Sequence, residues 1–196
     1  DGDNVIISGT KVAVLSGSGT DKLLVVARES GGDTDRSGIS VFLVDANADG
    51  VTMHTYANVD GKSASEIRLS NVTVPSSARI GLVGGAIEAL ESAIDRATLA
   101  SAAEALGAME SLLKKTVEYS KTRKQFGTAI GTFQALQHRM ADMFIECQLA
   151  RSIVVMAAMK MDSGESTSEK AKAVSAAKSR VGKAINKVGP EAVQIH

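Results

Sequence analysis

The sequence contains no tryptophan, a single cysteine and only 3 % aromatic residues among its 196 positions. The one thiol, Cys147, excludes an internal disulfide, and without a Cys/His cluster there is no pattern typical of a zinc site. This cysteine usage fits a reducing compartment, so we expect the protein to be cytoplasmic. The shortage of aromatic rings also argues against a platform on which bases or sugars would stack.

An excess charge of one sign and long apolar runs are missing as well. The 22 Lys and Arg residues balance the 22 Asp and Glu residues, so the net charge is +0 and no basic field exists to hold a nucleic acid. No stretch of about 18 or more apolar residues occurs, so we expect no membrane-spanning helix. Hydrophobic residues still make up 44 % of the chain, which is enough for a core and excludes wholesale disorder.

The first 80 residues have the composition and residue spacing of β-structure. Short runs rich in β-branched residues alternate with Gly, Asp, Asn and Ser, as in antiparallel sheets. We predict a turn at Ser8-Gly9, a polar loop at 29–37, and strands at 5–7, 12–15, 23–27, 39–45, 50–56 and 66–69. About six strands are few for a closed barrel. The pattern therefore predicts an antiparallel β-sandwich or barrel-like domain.

From about residue 84 the apolar residues recur at steps of three and four, which predicts helices. The clearest stripe consists of Leu136, Met140, Met143, Cys147, Ala150, Val154, Ala158 and Met161. Gly164 is a natural end for this helix, and Ser166 with Glu169 forms a capping box for the next one. We expect Pro190 to kink or interrupt that last helix.

Three long helices are fewer than the usual four of a bundle, and their stripes continue to the end of the chain. We therefore expect one bundle helix to be missing or to come from another chain. The predicted fold class is α+β. Residues 1–80 form the antiparallel β-sandwich or barrel-like domain, and residues 81–196 form an incomplete antiparallel helical bundle domain.

The most informative segment is the 121–134 loop, which joins the first two predicted helices. Arg123 and Lys124 lie at a helix C-terminus, an aromatic residue and two glycines follow, and a new helix is predicted to begin at Thr132. The N–H groups of a helix start and the fork of Arg123 both suit phosphate oxygens, which predicts a diphosphate-binding site. The structural alternative is that both cations satisfy helix-end carbonyls while Phe126 caps the bundle.

The motifs of this loop closely resemble the acyl-CoA dehydrogenase family. The matching strings are Arg123-Lys124-Gln125-Phe126-Gly127, Ile130-Gly131, Phe133-Gln134, Gln137 and Met140-Ala141-Asp142-Met143. The strings that look like the middle β-domain of that family are Gly2-Asp3, Gly9-Thr10-Lys11, 38–44 and Val74-Pro75. The end of the chain, 192–196, looks like the stretch that leads into the family's Gly-Gly turn. The resemblance is nearest to the bacterial small-subunit type associated with acids such as pimelate or sterol side chains.

The resemblance implies an FAD enzyme of fatty acid and lipid metabolism. Such an enzyme removes an α-proton from an acyl-CoA thioester and passes a β-hydride to flavin N5, which yields a trans-2-enoyl-CoA. The electrons leave through an electron-transferring flavoprotein. Family members carry further helices after this point and assemble as tetramers through the same domain, which would explain the missing bundle helix.

The resemblance also implies two sets of residues that contact the FAD of a neighbouring subunit. The set in the 121–134 loop comprises Arg123, Lys124, Gln125, Phe126, Phe133 and Gln134. The set at the end of the chain begins a second contact strip and comprises Gln194, Ile195 and His196. Within the first set, Phe133 and Gln134 would cover the adenosine-diphosphate region of the cofactor.

The glutamate that the family uses as catalytic base has no clear counterpart here. Its commoner position lies beyond His196, and its less common position aligns with Ala97, next to Thr98 where an arginine is usual. Asp95 lies two residues earlier, about 200° around the helix, and becomes the candidate base if a local shift brings it inward. An apolar pocket would then raise its pKa toward useful basicity. The alternative is an exposed Asp95–Arg96 pair.

The flavin-contacting strand departs from the family pattern too, because Ala13 and Leu15 stand where an aromatic and a hydroxyl residue are usual. Two hypotheses follow. The protein is either a catalytic enzyme whose base lies beyond the sequenced end, or a non-catalytic subunit that lends the 121–134 loop to a partner's FAD in a heterotetramer. In both cases we expect the chain to be a fragment or an incompletely ordered protein, since the family's N-terminal helical domain is not in it.

Overall fold

The computed structural model describes residues 3–196, so Gly2 of the Gly2-Asp3 string lies outside the described residues. The chain divides into two compact units, Asp1–Leu90 and Glu91–His196. Antiparallel strands occupy most of the first unit and long helices most of the second, which confirms the predicted α+β class. The predicted domain boundary at residue 80 stays a prediction.

The first unit is built from two three-stranded antiparallel sheets. Its strands are β1 (Asn4–Leu15), β2 (Lys22–Arg28), β3 (Ile39–Asp45), β4 (Val51–Ala57), β5 (Ser63–Pro75) and β6 (Arg79–Ile80). One sheet has the order β1-β5-β4 and the other has the order β2-β3-β6. Buried side chains of both sheets form one core, in which Phe42, Val44 and Val72 are fully buried. The unit is therefore a sandwich.

β1 is one strand of 12 residues rather than two runs separated by a turn. The predicted turn at Ser8-Gly9 is wrong, because β1 pairs with β5 on both sides of Ser8 and a bulge between Ile7 and Gly9 absorbs the irregularity. The Ser8 hydroxyl donates to Asn71 Oδ1 at 3.0 Å and accepts from Asn71 N at 3.1 Å. This side-chain contact bridges the interrupted ladder, so both halves of β1 stay in one sheet.

The sandwich is open along one side. β1 and β2 are edge strands of their sheets, and a cavity of about 760 Å³ lies between them, lined mainly by 4–11 and 25–29. The Lys11 ammonium reaches from β1 to donate to Val26 O at 2.7 Å. Ile6 and Leu24 on these edge strands are largely exposed, because each alternates with buried neighbours and faces away from the core.

The second unit contains three helices: α1 (Ile87–Thr122), α2 (Gln134–Asp162) and α3 (Thr167–Ile195). Each helix contributes one apolar stripe to a shared core, whose completely buried members include Met109, Met143, Cys147, Ala150, Ala184 and Val188. The predicted stripe of α2 is confirmed except that Ala157, rather than Ala158, is fully buried. Within residues 3–196, no helix combines the length and the apolar character needed to cross a membrane.

The boundaries of α3 test two sequence predictions. Ser166 is the N-cap, and its hydroxyl accepts from Glu169 N at 3.3 Å, which confirms the predicted start. Pro190 does not interrupt the helix, which continues to Ile195, so the predicted interruption is wrong and the predicted kink stays a prediction. Pro190 is exposed and removes only its own N–H bond, and the final turn still closes because His196 N donates to Ala192 O at 3.3 Å.

A largely buried ion pair ties the end of β2 to β6. Arg79 donates to the Glu29 carboxylate from Nη2 at 2.6 Å and from Nε at 3.1 Å. The Ser40 hydroxyl donates to the same carboxylate and accepts from Gly84 N at 2.8 Å. The Arg79 hydrogen bonds, helped by Ser40, outweigh burial and hold the pKa of Glu29 below its usual range.

We expect Glu29→Gln to lower the free energy of unfolding at pH 7 by about 2 kcal/mol, because Arg79 loses a charged acceptor. Since the native pKa of Glu29 is lowered, this contribution is complete above the unfolded-state pKa and is lost as the pH falls through the native value. Urea unfolding followed from pH 7 to about pH 3 should show the variant and the wild type converging. Glu66→Gln is the control, since Glu66 makes no ion pair among residues 3–196. A stability gap that stayed constant with pH would contradict this assignment.

Candidate functional site

The 121–134 loop folds as a short hairpin. Its strands, β7 (Lys124–Gln125) and β8 (Thr128–Ala129), pair antiparallel. The two turn residues, Phe126 and Gly127, have φ values of 52° and 83°, which is the pattern of the type I′ turn that suits a two-residue hairpin. Glycine adopts this left-handed conformation readily, whereas Phe126 is held in it against the usual preference of a bulky residue.

Tyr119 O, in the last turn of α1, is satisfied without the cationic side chains. Arg123 N donates to Tyr119 O at 2.9 Å, and the Thr122 hydroxyl donates to the same oxygen at 3.1 Å. Ile130 N closes the loop by donating to Arg123 O at 2.9 Å. The side chains of Arg123 and Lys124 make no hydrogen bond or ion pair with residues 3–196. The alternative in which both cations satisfy helix-end carbonyls is therefore not the arrangement that the chain adopts.

Gly131 lets the loop lie directly against the end of α1. A Cβ at this position would lie 2.8 Å from Ser120 Oγ and 3.0 Å from Ser120 O, closer than carbon atoms approach such groups. Ser120 itself is buried and donates to Val117 O at 2.8 Å. Gln137 Nε2 then donates to Gly131 O at 2.8 Å from the first turn of α2. These contacts fix the hairpin relative to both helices.

The start of α2 differs from the sequence prediction by two residues. Thr132 does not cap the helix, because its hydroxyl donates to Ala129 O at 2.7 Å and Ile130–Thr132 forms a short 3₁₀ turn. Phe133 is the residue before the helix and provides no side-chain cap, so α2 begins at Gln134. Its first turn therefore lacks a side-chain acceptor, which leaves the positive end of the helix dipole without a protein counter-charge.

The hairpin presents its side chains to solvent. Phe126 is 92 % exposed, and its ring meets Phe133 edge-on with 6.1 Å between the ring centroids. Arg123, Lys124 and Gln125 are exposed as well. Such exposure excludes the second part of the structural alternative, in which Phe126 caps the bundle.

The end of α3 lies beside the same end of α1. Tyr119, one turn before Arg123, stacks on His196 with ring centroids 4.4 Å apart, and its hydroxyl donates to His196 O at 3.0 Å. Gln194 is exposed, whereas the Ile195 side chain is 5 % exposed and belongs to the bundle core. The structure therefore brings Gln194 and His196 to the helix end that carries the loop, and it leaves only the main chain of Ile195 for a ligand.

This end of the bundle suits an anionic ligand that also has a planar part. The guanidinium of Arg123, the ammonium of Lys124 and the amide of Gln125 can all donate to negatively charged oxygens, as can the uncapped start of α2. The exposed ring of Phe126 offers an apolar face beside these donors. FAD combines a diphosphate with planar rings, so the residues present fit the cofactor that the sequence predicts.

Asp95 lies far from this set. It precedes Arg123 on the same helix by 28 residues, which corresponds to roughly 40 Å. α1 is regular around Asp95, so its side chain stays about 200° from Ala97. Asp95 is half-buried, whereas Ala97 is exposed, and Asp95 makes no ion pair with residues 3–196. Its role as a base stays a prediction.

The two departures on the predicted flavin-contacting strand lie at the end of β1. Ala13 is in a bulge between Lys11 and Val14, with a φ of 53°, and Leu15 is 68 % exposed. A methyl group and an isobutyl group can neither stack as an aromatic ring does nor donate a hydrogen bond. Ala13 and Leu15 therefore lack the ring and the hydroxyl group that the resemblance led us to expect at these two positions.

Two contacts that position the loop and the chain end were not predicted from the sequence. Tyr119 bonds to the end of the chain, and its position four residues before Arg123 on one helical face was the sequence feature that pointed to a role. Gln137 was part of the matched motif without an assigned task, and the structure shows that its amide supports Gly131 O. Neither contact follows from spacing alone, since each crosses between elements.

Comparisons with known proteins agree on one family. Residues 1–72 match the acyl-CoA dehydrogenase middle domain, and residues 79–196 match the acyl-CoA dehydrogenase C-terminal domain. The chain therefore belongs to the acyl-CoA dehydrogenase family, a class of FAD oxidoreductases. The resemblance recognised from the motifs is confirmed.

Two curated relatives are reductases by name. Caffeyl-CoA reductase-Etf complex subunit CarC of Acetobacterium woodii is 31 % identical over 100 % of this chain and 51 % of its own length. The 3-(aryl)acrylate reductase of Clostridium sporogenes is 33 % identical over 100 % of this chain and 52 % of its own length. The chain thus spans about half the length of the curated relatives it matches.

Solved structures share the fold. Butyryl-CoA dehydrogenase from Megasphaera elsdenii matches with a TM-score of 0.89 and 28 % identity, over 100 % of this chain and 51 % of its own. A structure of PigA with FAD and proline matches with a TM-score of 0.90 and 26 % identity, over 97 % of this chain and 49 % of its own. The sandwich and helical bundle are therefore the family fold, and FAD is bound in a solved relative.

We expect Gly131→Ala to destabilise the protein by about 1–3 kcal/mol, because the new Cβ must displace the Ser120 main chain or the hairpin. Gly107→Ala is the matched control, since a Cβ there meets nothing within 4 Å and Gly107 lies inside α1. The control should gain about 0.5–1 kcal/mol from its better helix propensity. Urea unfolding of both variants measures the difference, and stabilisation by both would contradict the packing described for Gly131.

Proposed function

We propose that the chain is part of a subunit of an FAD-dependent acyl-CoA dehydrogenase, and that its 121–134 loop contacts FAD held by a neighbouring subunit. One observation carries the proposal: Arg123 and Lys124 are exposed and unpaired among residues 3–196, while Tyr119 O in the last turn of α1 accepts from Arg123 N and the Thr122 hydroxyl instead of a cationic side chain. Cations kept free beside an uncapped helix start suit a diphosphate.

The residues of the loop have separate tasks in this arrangement. The Arg123 fork binds two diphosphate oxygens, and Lys124 adds a positive point charge. Phe133 and Gln134 cover the adenosine-diphosphate region, and Phe126, whose ring meets Phe133 edge-on, borders it. The remaining proposed contacts are Gln125 and, in the second strip, Gln194, Ile195 through its main chain, and His196.

When bound, FAD supplies the acceptor for the hydride that leaves the acyl chain. The part of this chain is to bind and orient the cofactor, because Gly131 and Gln137 fix the hairpin against the bundle. For the whole protein we propose α,β-dehydrogenation of an acyl-CoA thioester to a trans-2-enoyl-CoA, with an electron-transferring flavoprotein as electron partner. An Etf-complex subunit among the relatives supports that partner. The proposal includes a tetramer and a cytoplasmic role in fatty acid and lipid metabolism, and the acyl branch stays a prediction.

The second candidate function is a non-catalytic subunit that contributes FAD contacts to its partner in a heterotetramer. Ala13 and Leu15 favour it, because this subunit then lacks the stacking ring and the hydroxyl group expected beside its own flavin. Ala97 favours it too, since it removes the carboxylate from one of the two base positions. The 121–134 loop has the same task in both candidates.

We expect Arg123→Ala in the full-length protein to weaken FAD binding about 10-fold to 100-fold, because a charged hydrogen-bond donor to the diphosphate is lost. Lys121→Ala is the matched control: it removes a nearby cation that is already paired with Glu118 at 2.8 Å. FAD affinity is measured by flavin fluorescence titration of the apoprotein. Equal affinity in the two variants would remove the loop from the FAD site.

Flavin absorbance and dye reduction separate the two candidate functions. A catalytic enzyme should retain FAD when purified alone and reduce a dye with an acyl-CoA substrate. A non-catalytic subunit should acquire flavin and activity only when mixed with its partner subunit. Dye reduction by the protein alone would discard the second candidate.

A further inference from the structure

Tyr119 contacts both segments of the candidate cofactor site. Its main-chain oxygen accepts from Arg123 N at 2.9 Å and from the Thr122 hydroxyl at 3.1 Å, at the base of the 121–134 loop. Its side chain reaches the end of α3, where the ring stacks on His196 and the hydroxyl donates to His196 O at 3.0 Å. One residue therefore joins the loop to a segment that lies 77 positions further along the chain.

The end of α3 is anchored in two ways. The Ile195 side chain is buried and packs in the core of the bundle. The helix ends at this residue, and His196 N makes its last main-chain bond, to Ala192 O at 3.3 Å. Carbonyl groups at a helix end have no partner inside the helix, so a donor from another element is needed to hold the main chain that follows. The Tyr119 hydroxyl is that donor for His196 O.

The second anchor acts on the part of the chain that is available to a ligand. The ring stack restricts the side chain of His196, and the hydrogen bond restricts its main chain. Gln194 is exposed in the last turn of α3, whereas Ile195 offers only its main chain because its side chain is in the core. A main-chain contact cannot adjust by changing a rotamer, so its position depends on how firmly the backbone is held.

We propose that Tyr119 is a positioning residue of the FAD site, which holds the 194–196 strip beside the 121–134 loop. This inference rests on the proposed function. The carbonyl and hydroxyl groups of Tyr119 are already bonded within the chain, so Tyr119 acts through its neighbours and not by touching the cofactor. Holding the strip in place before FAD arrives lowers the cost of ordering it during binding.

The effect of losing the Tyr119 side chain is selective. The hairpin keeps its own supports, because Gly131 packs against Ser120 and Gln137 Nε2 donates to Gly131 O at 2.8 Å. Neither contact involves the ring or the hydroxyl of Tyr119. Contacts made by the 194–196 strip should therefore weaken, whereas the contact made by Arg123 should not.

Hydrogen exchange of the full-length apoprotein tests the anchor without the cofactor. Tyr119→Phe removes the hydroxyl and keeps the ring, whereas Tyr119→Leu removes both. We expect the main-chain amides of 192–196 to exchange about 3-fold to 10-fold faster in Tyr119→Phe, and faster still in Tyr119→Leu. Amides of the hairpin should not change.

Ser152→Ala is the matched control for this exchange experiment. It also removes a hydroxyl that donates to a main-chain carbonyl of the bundle, Gln148 O at 2.9 Å, but it lies in the middle of α2. The control should leave exchange at 192–196 unchanged. Unchanged exchange at 192–196 in both Tyr119 variants, or faster exchange throughout the bundle, would overturn the proposal.

Flavin fluorescence titration of the apoprotein tests the link to the cofactor. Gln194→Ala should raise the FAD Kd about 3-fold to 10-fold in the wild-type background, but less than about 2-fold in the Tyr119→Leu background, where the strip is no longer held. Arg123→Ala should raise the Kd by the same factor in both backgrounds. Circular dichroism checks that each variant is folded, and Tyr119→Phe replaces Tyr119→Leu if the latter is not.

The outcomes separate a positioning role from general damage to the bundle. Equal factors for Gln194→Ala in both backgrounds, or no effect of Gln194→Ala on the wild type, would overturn the role of Tyr119 while the Arg123→Ala effect remains. Coupling of Tyr119 to Arg123 as strong as its coupling to Gln194 would overturn it too. No effect of Arg123→Ala in either background would contradict the proposed function itself, and the role of Tyr119 with it.

Discussion

The close approach of Gly131 to Ser120 is the contact on which the proposed cofactor site depends. Because a hydrogen atom replaces a side chain there, the hairpin lies flat against the end of α1, and the main chain of Arg123 can bond to both Tyr119 and Ile130. Tyr119 O and Arg123 O at this helix end thereby accept from backbone N–H groups. Its cationic side chains are left free for a ligand, which is the opposite of the usual structural use of cations at a helix C-terminus.

Charged and apolar side chains lie on different sides of α2. Interhelical ion pairs such as Arg151–Glu110 collect charge along the flanks of α2. Its two remaining sides stay apolar, one inside the core and one outside it. One helix therefore stabilises the unit through one side, while Phe144, Ile145, Leu149, Val155 and Met159 on its opposite side stay exposed.

Local sequence patterns predicted the helices and strands better than the segments that connect them. The N-cap at Ser166 and the apolar stripe of α2 were predicted correctly because a cap and a helical period depend on residues within a few positions of each other. The turn predicted at Ser8-Gly9 was wrong because a contact distant in sequence decided it, whereas the predictions of a cap at Thr132 and of an interruption at Pro190 failed for local reasons. Ser8 bonds to Asn71 across two strands, and Thr132 bonds back to Ala129 instead of capping α2.

The sequence by itself determined the α+β class and the family, because residue periodicity and a specific motif are properties of order along the chain. It also identified the 121–134 loop, but it left open whether Arg123 caps a helix or binds a ligand. Only the tertiary structure shows that the Arg123 side chain does not cap the helix, since that depends on which groups bond to the carbonyls at the end of α1. The same holds for Tyr119 with His196, which are far apart in sequence and meet because the helices pack side by side.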